Sequence, residues 1–114
     1  VVDDEATLLD FETELLSSLG YQVTGCNNSE AALTLLHGSQ HFDLLLTDQT
    51  MPGLSGLELA RQARVTRPDM PVVLISGYAS ELTGDGLASA DIDAFINKPC
   101  NSAQLSSLLS ELLD

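Results

Sequence analysis

Five polar residues stand where short apolar runs stop. Asp3 and Asp4 follow "VV", Asp48 follows "LLLT", Ser76 follows "VVLI", and Lys98 closes "AFIN". If those runs are strands of one parallel sheet, all five residues fall at the same edge. Three carboxylates gathered there repel one another unless a cation intervenes. An all-oxygen donor set with few protein ligands favours Mg²⁺, which keeps several waters and accepts one or two carboxylates plus a phosphoryl oxygen; Mn²⁺ fits the same donors. A carboxylate beside such an ion can attack a phosphoryl group and form an aspartyl phosphate, the metal and a nearby ammonium neutralising the equatorial oxygens. On this reading Asp48 is the nucleophile and Lys98 the counter-charge. Ser76 offers a hydroxyl to a phosphoryl oxygen. Taken singly, each residue has a plainer role: Asp3 and Asp4 as helix caps, Asp48 as a turn cap, Lys98 as a surface lysine.

The elements that must bring them together can be read along the chain. Leu8, Phe11, Leu15, Leu16 and Leu19 share one face of a helix that Gly20 can end as a left-handed cap, with Asp4 in the N-cap place. "YQVTGC" alternates like a strand, and "NNSEAALTLLHG" offers a Ser29 cap, a helix and a stop at Gly38. "FDLLLT" runs apolar without alternation, as suits a strand buried on both faces of a parallel sheet. After the Pro52-Gly53 turn, "SGLELARQARVT" is helical with Leu57, Ala60 and Ala63 or Arg64 on successive turns, closed by Pro68. "PVVLIS" is the next buried strand. "GYASELTGDGLASA" is a Gly-interrupted helix and "DAFINKP" a short strand. "NSAQLSSLLSELL" closes the chain with Leu105, Leu108, Leu109 and Leu112 on one face, opened by Asn101 with Gln104 three residues on. Five strands alternating with five helices imply a doubly wound α/β fold, whose ligands gather at the carboxyl ends of the strands.

Composition excludes several classes. At 114 residues, 44% hydrophobic and 18% charged, the chain is one domain with a real core. It has no run of apolar residues long enough to span a bilayer. Seventeen acidic residues against four basic ones give a formal charge of −13, which repels nucleic-acid phosphates and anionic lipid and attracts cations and basic partners. Neither direct nucleic-acid binding nor membrane binding is expected. Cys26 and Cys100 show no metal-ligand spacing and are expected as reduced thiols, and His37 and His41 as exposed loop residues.

Taken in order, "VVDDE", "LLLTDQTMPGLSGLELA", "PVVLISGY" and "DAFINKP" resemble a response-regulator receiver domain of two-component signalling, over the whole chain. The resemblance implies a flavodoxin-like five-stranded parallel sheet of order 2-1-3-4-5, a (βα)5 three-layer sandwich. It also implies phosphorelay signalling rather than enzymatic turnover, with Asp48 accepting a phosphoryl group from a histidine kinase or phosphotransfer protein. Asp3 and Asp4 correspond to the family's acidic pair and the Thr50 backbone carbonyl to a third metal contact. Ser76 and Phe95 match the switch positions, often Thr and Tyr, and Lys98 the family's lysine. Pro99 is the candidate for a cis peptide, and Thr50 and Tyr78 flank the path of the hydrolytic water that sets the adduct's lifetime.

The implied partners are a downstream effector or attached output domain and a second copy through the face of the fourth helix, fifth strand and fifth helix. The implied setting is cytoplasmic, with the domain free or tethered to a membrane-bound sensor kinase. The start at "VVDDE" is expected of a receiver trimmed at its N-terminus and excised from a longer protein, such as a hybrid histidine kinase. Two alternatives remain: a haloacid-dehalogenase-type phosphohydrolase, whose second aspartate is here Thr50, and a receiver used only for docking.

Overall fold

The computed structural model describes residues 1–49, 53–76, 92–97 and 102–113. Along these run α1 (Ala6–Ser18), α2 (Ser29–Leu36), β1 (Leu45–Asp48), α3 (Gly56–Thr66), β2 (Val72–Ser76), β3 (Ala94–Asn97) and α4 (Ser102–Leu113). The strands pair in parallel in the order β1-β2-β3, with Asp48 opposite Ile75 and Ser76 opposite Asn97. Val2 forms parallel bridges to both Cys26 and Thr47, so the backbone around Cys26, then Val2, then β1, β2 and β3 lie side by side. This is the 2-1-3-4-5 order of a flavodoxin-like sheet.

The alternation of side chains across the strands divides the core in two. Leu45 and Val72 face a cluster with Ala32 and Leu36 of α2 and Leu59, Ala60 and Ala63 of α3. Leu46, Val73, Ile75 and Ile96 face Leu16 of α1 and Leu105 and Leu109 of α4. With helices on both faces, β1 has no solvent side, and all four of its residues are buried. That is why "LLLTD" carries no alternation.

Local chemistry corrects several sequence expectations. The N-cap of α1 is Glu5, not Asp4, and its amide donates to Asp3 Oδ1 at 3.0 Å. The N-cap of α2 is Asn28, whose Oδ1 accepts from Ala31 N at 2.7 Å; Ser29, expected there, is the first helical residue and is buried. Residues 21–25 form no regular strand, because their hydrogen-bonding neighbour is the short stretch Val1–Asp3, bonded through Val1 N to Thr24 O, Cys26 N to Val1 O and Asp3 N to Cys26 O. In α1 the inward line runs through Glu12 and Leu16, and Phe11 is 48% exposed. In α3 Leu59 is buried rather than Leu57, and the helix stops at Thr66 with Arg67 as C-cap, just before Pro68.

Other expectations match. Gly20 has φ +98° and closes α1 with bonds from its own N to Ser17 O and from Tyr21 N to Leu16 O, a Schellman pair. Gly53, at the expected turn, has φ +80°. The Gly-interrupted helix over 77–90 and the Asn101 cap lie outside the described residues.

Candidate functional site

The carboxyl end of the sheet is assembled by backbone hydrogen bonds that leave little freedom. Asp48 N donates to Val2 O at 2.8 Å, Val2 N to Leu46 O at 2.8 Å and Asp3 N to Cys26 O at 3.1 Å. Two neighbouring strand ends therefore stop together. The chain turns into α1 directly after the acidic pair, whose first residue accepts the Glu5 amide. Asp3, Asp4 and Asp48 each bring one carboxylate oxygen within 4.8 Å of the others. Asp3 is fully buried, Asp48 is 5% exposed and Asp4 is exposed.

Burying an ionised carboxylate costs several kcal/mol, and placing three together adds repulsion, so the local sequence spends stability on this arrangement. The donors are all carboxylate oxygens, the set a hard divalent cation takes. At the same edge the register sets the backbone of Ser76 opposite Asn97, one rung beyond the Asp48–Ile75 pair. Phe95 lies within β3, opposite Leu74. Lys98 follows Asn97 directly in sequence and is the chain's single lysine. Lys98, Thr50, Tyr78 and Pro99 lie outside the described residues.

Behind Asp48 the backbone is held as tightly. Thr47, fully buried, donates its hydroxyl to Asp48 O at 3.0 Å, and Gln49 N donates to Ile75 O at 2.9 Å. Gly56 approaches so closely that a Cβ there would stand 2.5 Å from Asp48 O and 2.5 Å from Leu74 Cδ1. Gln49 and Gly56 escaped the sequence reading. A polar residue between a strand-end carboxylate and a Gly-led helix is the signal that could have found Gln49. Elsewhere His41 pairs with Asp43 at 2.7 Å on the surface, and a cavity of about 390 Å³ lies toward the amino ends of the strands, lined by residues that include Val23, Leu44 and Leu45. Burial pushes the Cys26 thiol up, in keeping with its place in the core.

A doubly wound sheet with a carboxylate cluster at its carboxyl edge defines a narrow class, and comparison with known proteins names it. Residues 1–110 match the family model of the response regulator receiver domain, and the chain belongs to that family. It is 32% identical to the response regulator receiver protein CpdR of Brucella abortus, over 99% of this chain and 93% of that one. Two longer relatives, a two-component response regulator of Arabidopsis thaliana and a transcriptional regulatory protein of Bacillus subtilis, are spanned over 20% and 31% of their length. A solved CheY-like receiver domain from Methanospirillum hungatei superimposes with a TM-score of 0.90 at 33% identity, covering 99% of this chain and 90% of that one. The receiver domain of a sensor histidine kinase from Pseudomonas aeruginosa, solved with magnesium coordinated in its active-site cleft, gives 0.86 at 26% identity and covers 98% and 93%. The chain is thus a receiver domain of two-component signalling, and receiver domains are signalling domains.

Proposed function

We propose that Asp48 is the phosphoryl acceptor of this receiver, with Asp3 and Asp4 completing the acidic site. The observation that carries this is the convergence of the three carboxylates within 4.8 Å at the end of a strand whose residues are otherwise sealed in the core. A carboxylate oxygen of Asp48 attacks the phosphorus of a phosphohistidine on a histidine kinase or phosphotransfer protein. The P–O bond forms as the P–N bond breaks, and its electron pair returns to the ring nitrogen, leaving neutral imidazole when the other nitrogen holds the proton. Asp3, Asp4 and Asp48, with the Thr50 carbonyl, would hold Mg²⁺ or Mn²⁺. Such an ion supplies positive charge to the phosphoryl oxygens when bound.

Lys98 contributes the ammonium that neutralises the product dianion, and Ser76 donates its hydroxyl to a phosphoryl oxygen. Phe95 repacks in response, altering the surface around β3 and α4, which is read by an effector, an attached output domain or a second copy. Thr50 and Tyr78 tune how long the adduct lasts. The 114 residues act as one receiver unit on the cytoplasmic side, and the likeness to a sensor-kinase receiver supports a hybrid histidine kinase as parent.

The test is incubation of the chain with Mg²⁺ and acetyl phosphate. One phosphoryl group should be added, the adduct absent in Asp48→Asn and present in Asp43→Asn. Labelling that survives Asp48→Asn overturns the assignment, and steady hydrolysis of phosphomonoesters would return the phosphohydrolase reading.

A further inference from the structure

A helix begins with N–H groups that have no partner within it. In α3 those groups are taken in turn. Gly56 N donates to Gln49 O at 3.0 Å and Leu57 N to Gln49 Oε1 at 2.9 Å. Glu58 N donates to Ser55 Oγ at 3.3 Å, and Leu59 N to Ser55 O at 2.9 Å begins the helical ladder. Gln49, seven residues before the helix starts, therefore supplies two of the four acceptors, one from its main chain and one from its side chain. Its own N–H is committed to Ile75 O at the end of β2.

Three bonds hold Gln49, the residue that follows Asp48: one through its N–H, one through its carbonyl and one through its side chain. One ties it to the neighbouring strand, two to the start of α3, and the missing Cβ of Gly56 lets the helix close against Asp48 O. A carboxylate can meet two others at a shared ion only if its own Cα is held, since an error of about 1 Å at a reacting group can cost about a hundredfold in rate.

We infer that Gln49 is a positioning residue of the acceptor site: by accepting the first two amides of α3 it locks Asp48 in the orientation that faces Asp3 and Asp4. The inference rests on the acceptor role proposed for Asp48. Of the three bonds, the side-chain one alone is open to substitution. Glu keeps an oxygen at the same reach and suits a helix N-terminus. Leu keeps the bulk without the acceptor, and Asn is too short to reach.

The experiment measures Mg²⁺ affinity by titration calorimetry and the rate of phosphorylation by acetyl phosphate on the 114-residue chain and on Gln49→Glu, Gln49→Leu and Gln49→Asn, with melting temperatures alongside. Loss of the acceptor should weaken Mg²⁺ binding about tenfold, the scale on which partners behind a metal ligand act, and slow phosphorylation with it, while Gln49→Glu stays near the parent. Gln49→Asn keeps the comparison informative should Gln49→Leu fail to fold. Parent-like affinity and rate in Gln49→Asn, or equal losses in the Glu and Asn variants, would overturn the inference. A parent chain that binds Mg²⁺ yet accepts no phosphoryl group would overturn the role of Asp48 while the affinity series still decides the positioning by Gln49. A parent that binds no Mg²⁺ overturns both.

Discussion

Asp3 and Asp48 are nearly sealed from water while Asp4, their neighbour in the cluster, is exposed, so the site is an inner pair of acceptors with one carboxylate at the mouth. The exposed member can meet an arriving cation first, and the buried pair gains most from it, because desolvated carboxylates are the ones a counter-charge relieves. Glycine matters at residue scale as much as charge. A methyl group at Gly56 would overlap Asp48 O and Leu74 Cδ1, and neither backbone nor buried leucine can yield freely. Gly56→Ala should cost about 1–3 kcal/mol, as overpacking typically does, and lower phosphorylation by more than the melting temperature alone would imply. Chemical denaturation together with acetyl phosphate kinetics would check this; unchanged stability would mean that α3 can retreat from β1. The acidic residues were legible in the sequence because each ends an apolar run. Gln49 and Gly56 were not, since their partners depend on the approach of α3 to a strand end, which no local spacing encodes.

Among the elements, the helices were readable where a wide apolar face runs along the segment, as in α4, or a glycine ends it, as Gly20 does, and misread where a face is narrow. Phe11 fits the heptad-like spacing of α1, yet the line through Glu12 and Leu16 is the one turned inward. The caps were misplaced by one residue at Glu5 and Asn28 because several cap-forming residues stand in a row there, and geometry alone chooses among them. The strand expected over "YQVTGC" has only the short Val1–Asp3 stretch to pair with, so periodicity overstated it.

One joint between elements had no sequence signature. Arg67, the C-cap of α3, donates to Leu36 O at 2.8 Å, to Gly38 O at 3.2 Å and to Gln40 O, with its guanidinium 5.3 Å from the Phe42 ring centre. It thereby satisfies carbonyls at and beyond the end of α2 that would otherwise turn to water. Arg67→Ala should destabilise the domain by about 1–2 kcal/mol in urea denaturation, reduced from the full value of charged hydrogen bonds because the head is partly solvated. Arg67→Lys should not restore it, since an ammonium lacks the planar fork that reaches several carbonyls. Full recovery by lysine would reduce the joint to simple charge.

For the whole molecule, the charge of −13 and the carboxylate cluster act in the same direction: both make the metal-free fold self-repulsive. Monovalent salt should therefore raise the melting temperature through screening, and Mg²⁺ should raise it further at matched ionic strength through binding, which adds about 2.7 kcal/mol of stability at a hundredfold excess over its dissociation constant. In Asp3→Asn the added Mg²⁺ increment should shrink while the screening effect remains. Fold class was legible at this scale because an unalternating apolar strand between helices has few stable arrangements, and the carboxylate cluster because Asp3, Asp4 and Asp48 each follow an apolar run that ends at one edge of such a sheet.

The decisive measurement is the position of the phosphoryl group. Treating the acetyl phosphate product with borohydride converts an acyl phosphate at aspartate into homoserine, which peptide mass spectrometry can locate. Homoserine is expected at position 48, formed only when Mg²⁺ or Mn²⁺ is present. Conversion at Asp3, Asp4 or Asp43 with Asp48 intact, or labelling of Asp48 that ignores the metal, would contradict it.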